Sequence, residues 1–193
     1  MSKLIITDVD GCILNWSKSF IEYVNDIGLI PKKDFYSCWD LEDWLGLTTK
    51  EVDNLAKDFN NTDRFKRLLP DYKSDIYIPL LHDMGYDFIA ITACGSHDTT
   101  SKYRTLNLNN LFPNVFKEIF CCDYNYEKND ILEKLPKAKY WVEDHYHNCK
   151  FGIDKDHTCF LMKHSYNNHI VDESIVMVSD WEEIYKNVIL DIQ

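Results

Sequence analysis

Apolar residues are spaced along this chain in two rhythms. The first is a set of short, nearly unbroken runs: Leu4-Ile5-Ile6, Tyr86 to Thr92, Val115 to Cys122, Lys139 to Val142, Thr158 to Met162 and Ser174 to Val178. Runs of that length bounded by polar residues read as buried strands. The second rhythm is helical. Trp16, Phe20, Tyr23, Val24 and Ile27 share one face of a segment from about Ser17 to Ile27, with Gly28 as its stop. Thr48-Thr49-Lys50-Glu51 has capping-box spacing and opens a helix that turns Val52, Leu55, Ala56 and Phe59 inward. A short helix is expected from Thr62 to Leu69, ended by Pro70.

Further on, helices are expected from about Asp75 to Met84, from the loop Ala93-Cys94-Gly95-Ser96 to about Leu111, and from Asn129 or Asp130 onward. His145 to Cys149 begin another. Ser179-Asp180-Trp181-Glu182 reads as a second capping box, before a helix that buries Trp181, Ile184, Tyr185, Val188 and Ile189. Pro79 leaves the start or the straightness of its helix open.

Strands alternating with helices imply an α/β fold, a Rossmann-like, mainly parallel sheet with helices on both faces. Residues 14–72 break the alternation. They read as all-helical, joined by the aromatic connector Phe35 to Trp44, and are expected to form a small inserted cap. Residues 1–13 and 73–193 are then the α/β core.

Composition narrows the function. With 193 residues, 45% hydrophobic, 6 Gly and 5 Pro, the chain is globular and has no repetitive stretch. Its formal net charge of -11 argues against binding a nucleic-acid polymer, which needs a basic patch. A small anionic substrate remains compatible if a metal supplies local positive charge. No apolar run is long enough to cross a bilayer and no export signal is visible, so a cytoplasmic protein is expected. The 7 cysteines form no C-x-x-C pair and are expected to be free thiols.

The chemistry collects at strand ends. Asp8 and Asp10 close the first run and are followed by Gly11; Thr92 closes the second, and Glu143-Asp144 the fourth. Residues i and i+2 of a strand share a side, so the two aspartates are expected to converge. In a parallel sheet these strand ends share one edge, where open α/β sheets bind ligands. Lys128 lies in the segment after the third run. Lys102 and Lys117 compete for its role, and Lys128 is preferred because it precedes a helix and the acidic pair. Carboxylates, a hydroxyl and an amine gathered there suit phosphoryl transfer assisted by Mg²⁺.

On these residues the chain resembles the haloacid dehalogenase-like phosphatase superfamily. Asp8-Val9-Asp10-Gly11-Cys12 is similar to its first motif, Ile89 to Thr92 to its second, Lys128 to its third and Val142-Glu143-Asp144 to its acidic fourth. Cys12 departs from the usual small residue. Asn148 stands near where many members carry another acid, so Glu143 is expected to take part of that role. The resemblance implies that Asp8 is the nucleophile, forming an aspartyl-phosphate, and that Asp10 is the general acid and base. It implies Mg²⁺ held by Asp8, the Asp10 carbonyl and Asp144, with Glu143 a further candidate. Thr92 and the N–H groups of Val9, Asp10 and Ala93 would bind the phosphoryl oxygens, and Lys128 would neutralise charge beside Asp8. Family dehalogenases generally lack an acid at the Asp10 place, which favours a phosphatase.

The cap resembles, more loosely, that of the 5'(3')-deoxyribonucleotidases, which carry Trp or Phe at the place of Trp16. Trp16, Trp39 and Trp44 are thus candidates for stacking on a base, beside the plainer expectation that they pack the cap's own core. The expected substrate is a small phosphomonoester, a deoxyribonucleoside monophosphate before a sugar phosphate. A non-catalytic nucleotide or phosphate sensor is the alternative from another class. His145, next to Asp144, is a candidate for touching substrate. His145, His147, Cys149, His157, Cys159, His164 and His169 crowd one quarter of the chain, but their spacings match no common structural zinc pattern.

Overall fold

The computed structural model describes residues 3–35, 40–123 and 128–191. Six strands form one all-parallel sheet: β1 (Leu4–Thr7), β2 (Asp87–Thr92), β3 (Phe116–Cys121), β4 (Tyr140–Glu143), β5 (Thr158–Met162) and β6 (Ile175–Val178). Their spatial order is β3-β2-β1-β4-β5-β6. This is the α/β fold expected from the alternation. The order reverses direction between β1 and β4, the switch point where open sheets of this kind bind ligands. Asp8 follows β1, and Glu143-Asp144 end β4 on the neighbouring strand.

Between β1 and β2 lie α1 (Trp16–Asp26), α2 (Leu41–Leu45), α3 (Thr49–Asn60), a 3-10 turn at Phe65–Arg67, and α4 (Ser74–Asp83). After β2 come α5 (Asp98–Leu111), α6 (Asn129–Leu132), α7 (Tyr146–Asp154) and α8 (Trp181–Leu190). One apolar core cluster carries Ile5, Phe88, Tyr140, Phe160 and Trp181; the other carries Ile6, Ile89, Trp141, Cys159 and Leu161. Alternate residues of the same strands thus fill opposite sides of the sheet, as the two-residue period of a strand requires. Among the described residues no helix is long and apolar enough to cross a membrane.

Several elements differ from the sequence expectation. The connector holds a short helix, α2, because Trp44 and Leu45 both find burial there. The helix expected over 62–69 shrinks to the single 3-10 turn, since Leu68 turns extended before Pro70. Ile27 is 49% exposed rather than inward, lying past the last turn of α1. Helix α4 runs through Pro79 from Ser74. The Thr48–Glu51 capping box forms, with Glu51 accepting from the Thr48 N–H at 2.8 Å. At α8 the cap is Asp180, one residue later than expected, accepting from the Glu182 and Glu183 N–H groups.

The helical segment joins the sheet through two crossings that run side by side. Asn15 N–H donates to Leu69 O at 3.1 Å, and Asp71 N–H to Ile13 O at 2.8 Å. Its interior is aromatic: Trp16 stacks on Phe20 at 4.5 Å, and Phe59 meets Trp16, Phe20, Tyr23 and Phe65 within 6.1 Å.

Candidate active site

Strand β1 ends at Thr7, so Asp8 and Asp10 both lie in the following loop rather than on one face of the strand. This corrects the reason expected for their convergence. Asp8 is held back against the sheet, its N–H donating to Val142 O at 2.9 Å on β4. The chain then bends at Gly11, whose φ of +80° is open to glycine at little cost. A Cβ at Gly11 would stand 2.5 Å from Asp144 Oδ2, so glycine also makes room for that carboxylate.

Lys128 bridges the two halves of the switch point. Its ammonium is 2.7 Å from Asp8 Oδ1 and 2.6 Å from Glu143 Oε1, and all three side chains are buried. Burial alone would discharge the lysine, but Asp8 and Glu143 outweigh it and raise its pKa. The same burial raises Asp8 to about 7, against the pull of Lys128, and Glu143 and Asp10 push it further up. Glu143 is fully buried and also raised, first by burial. Its carboxylate accepts from Lys128, Asn148 Nδ2, and the Asp144 and His145 N–H groups at 2.6 to 2.9 Å. Glu143 is thus occupied as an anchor for Lys128, and Asn148 supports it. Lys117 pairs instead with Asp87 at the exposed edge.

Asp144 is raised to about 6 by burial and by Asp8, against a hydrogen bond from the Tyr166 hydroxyl. Asn167 Nδ2 donates to Asp144 O at 2.8 Å, and His164 Nε2 lies 2.9 Å from Gly11 O. These three residues follow β5. Their position after a parallel strand was the signal in the sequence that could have found them.

Ligand atoms of Asp8, Cys12 and Asp144 lie within 4.8 Å of one another, the one such cluster among the described residues. Glu143, named as a further metal candidate from the sequence, contributes no carboxylate to it, being committed to Lys128; the carboxylate of Asp10, whose backbone carbonyl was the expected ligand, is committed to Arg104. Asp10 Oδ1 and Oδ2 lie 2.6 and 2.5 Å from Arg104 Nη2 on α5. Burial raises Asp10, while Arg104 pulls it down. Sequence reasoning missed Arg104, because a polar residue within a helix carries no local signal of what it faces. Four carboxylates thus meet two cations, and a divalent cation at Asp8 and Asp144 matches the deficit.

Thr92 is fully buried at the end of β2, and its hydroxyl is directed at the Asp10 carboxylate. Ala93 and Cys94 continue from it into the wall of a cavity of about 570 Å³. Asp10, Gly11, Ala93 and Asp144 line that cavity on the sheet side; Trp16, Phe35, Asp40, Glu42, Asp53 and Asn60 line it from the helical segment.

The aromatic candidates separate. Trp16 lines the cavity and is oriented by Asn60, which accepts from its Nε1 at 2.8 Å and donates to Cys94 O at 2.9 Å. Trp44 does not reach it: 2% exposed, it packs against Phe20 and Phe35 because the segment needs a core of its own. Trp39 lies outside the described residues. His145, the N-cap of α7, lines a smaller pocket of about 110 Å³ and not the larger cavity. The crowded His and Cys residues form no metal cluster among the described residues. Cys149 and Cys159 are in the apolar core, and all six described cysteines are free.

No family model matches the chain. It is 27% identical over 167 residues to an uncharacterized 32.4 kDa protein in the Gp30-rIII intergenic region of Enterobacteria phage T4. That match takes in 77% of this chain and spans about half, 56%, of the relative. Solved structures share the fold along nearly the whole chain. A predicted phosphatase from Clostridium acetobutylicum is similar with a TM-score of 0.68 at 11% identity, over 98% of this chain and 99% of that one. YfnB from Bacillus subtilis, assigned as a HAD-hydrolase and bound to magnesium, gives 0.62 at 16% identity, over 97% and 98%. CbbY from Rhodobacter sphaeroides, in complex with phosphate, gives 0.61 at 14% identity, over 95% and 96%. The chain therefore shares the α/β fold of these proteins.

Proposed function

We propose that this protein is a Mg²⁺-dependent phosphatase for small phosphomonoesters, and that residues 14–72 form a cap over its site. The observation that carries the reading is the Asp8–Lys128–Glu143 chain of ion pairs at the switch point, with Asp144 beside it. It fits phosphoryl transfer, where positioning and charge neutralisation do most of the work. The shared fold with the phosphatase, magnesium-bound and phosphate-bound structures supports it.

In this mechanism an Asp8 oxygen attacks phosphorus as the ester P–O bond breaks, and Asp10 gives its proton to the leaving oxygen. Asp10 then takes a proton from water, whose oxygen attacks phosphorus and releases phosphate from Asp8. Two easier steps replace one hard hydrolysis. Thr92 and the Ala93 N–H receive phosphoryl oxygens, and Lys128 favours the ionised form of Asp8 and aims it. Asp8, Asp144 and the Asp10 carbonyl would hold Mg²⁺, whose chemistry is to neutralise charge on the phosphoryl oxygens. Cys12 lies within reach of the same ion.

The preferred substrate in this reading is a deoxyribonucleoside 5'-monophosphate. Trp16, oriented by Asn60 in the cavity wall, offers a ring to a base. A second reading, a sugar phosphate, draws on Asp40, Glu42 and Asp53, which give the same wall acceptors for hydroxyl groups. A CbbY variant has been solved with xylulose-(1,5)-bisphosphate, which favours that second reading. Phosphate release from a panel of deoxynucleotides, ribonucleotides, sugar phosphates and p-nitrophenyl phosphate, with Mg²⁺ and then with EDTA, tests both. Deoxynucleotides leading, with loss in EDTA, supports the nucleotidase; sugar phosphates alone keep the phosphatase and discard base stacking. No release from any substrate, with nucleotide still bound, turns the reading to the sensor.

A further inference from the structure

Arg104 is a fully buried cation in the middle of α5, and Asp10 is the carboxylate it pairs with. Nη2 meets both oxygens of Asp10, and the guanidinium also reaches the Cys94 sulfur in the loop after β2. Asp10 keeps a quarter of its side chain exposed, 25%, so it faces the cavity with the arginine behind it. The guanidinium also lies 4.4 Å over the ring of Phe65, in the 3-10 turn that leads the helical segment back to the sheet. One turn along α5, Asn107 Nδ2 donates to Leu68 O at 3.0 Å on the same return crossing.

A guanidinium stays charged at any working pH, and burying it is costly without compensation. An apolar residue would fill the same interior at lower cost, so a role is the better account of this one. We propose that Arg104 is a positioning residue: it holds the Asp10 carboxylate where proton transfer to the leaving oxygen occurs. Through Phe65 it also ties that position to the return crossing of the helical segment. The inference rests on the phosphatase reading above, in which Asp10 moves the proton. Without Arg104 the carboxylate loses its anchor, and a misplacement of about 1 Å can cost about 10²-fold in rate.

The test uses two leaving groups. An alkoxide needs Asp10's proton as the P–O bond breaks, whereas p-nitrophenolate leaves with little help. Arg104→Met is expected to lower kcat/KM, which covers only the steps through departure of the leaving group, about 10²-fold on the best alkyl phosphomonoester and only a few-fold on p-nitrophenyl phosphate. Asp10→Asn should show the same bias, and adding Arg104→Met to it should cost nothing more. Arg104→Lys keeps the charge on a shorter reach; it should retain the fold, if Met does not, and show the same bias in weaker form. An equal loss on both substrates, or an additive loss in the double variant, overturns the inference while the phosphatase reading stands. Wild-type protein inert toward every phosphomonoester overturns that reading and this inference with it.

Discussion

Lys128 Nζ stands 2.7 Å from Asp8 Oδ1, an ion pair buried on both sides. The same ammonium holds Glu143, so one cation neutralises two interior carboxylates. Lys128→Met should therefore act twice. It removes a charge-stabilising group, with an expected loss of about 10²–10³ in kcat. It also strands two buried carboxylates, and breaking a buried pair this way typically costs about 3–5 kcal/mol. Turnover and thermal unfolding of the same variant check both effects; an active variant with an unchanged melting temperature would refute the account.

The pH dependence follows from Asp8 and Asp144, raised to about 7 and about 6. A carboxyl whose folded pKa lies above its unfolded value binds protons more tightly in the folded state. Its contribution to stability is full below the unfolded pKa and is lost as pH rises through the folded one. The metal-free protein should thus lose this contribution between about pH 4 and pH 7. Mg²⁺ competes with those protons, so its stabilisation should be larger near pH 8 than near pH 5.5. Thermal melts with and without Mg²⁺ at the two pH values measure it. An equal Mg²⁺ shift at both would contradict these residues as ligands.

Gly11→Ala tests the close approach of the first loop to the fourth strand's end. Its φ of +80° disfavours any Cβ, by about 1–2 kcal/mol. The added carbon also falls 2.5 Å from Asp144 Oδ2 and must displace it. The variant should melt lower and bind Mg²⁺ more weakly, as read by calorimetric titration.

Trp16 and Trp44 should respond in opposite ways. Trp16→Phe keeps a ring in the cavity wall but loses the bond to Asn60. It should raise KM for nucleotides while leaving that for p-nitrophenyl phosphate nearly unchanged. Trp44→Ala removes a buried anchor of the helical segment and should cost about 3–5 kcal/mol of stability. Steady-state kinetics on both substrates and denaturant unfolding separate the two effects.

The fold and the acidic, hydroxyl and amine groups at its strand ends were legible for a local reason. An apolar run such as Phe88–Thr92 has a low-cost resting place only inside a parallel sheet, and the polar residue closing it then falls on the sheet's ligand-binding edge. Capping chemistry was legible too, because it acts within one turn, as between Thr48 and Glu51. The strand argument for pairing Asp8 with Asp10 was not sound, because pairing stops at Thr7.

What the sequence by itself determined is therefore the order of the strands, the sheet edge on which acidic, hydroxyl and amine groups collect, and the Asp8, Thr92, Lys128 and Asp144 positions there. Tertiary structure alone decided that Arg104 grips Asp10 from 94 residues away. It decided that Tyr166 and His164 close on Asp144 and Gly11, that Glu143 serves Lys128, and that Trp16 rather than Trp44 lines the cavity. Periodicity reports which residues are buried, because burial follows from a residue's own polarity and its place in a helix or strand. Which buried group meets which is set by how distant elements pack, and no local spacing encodes that.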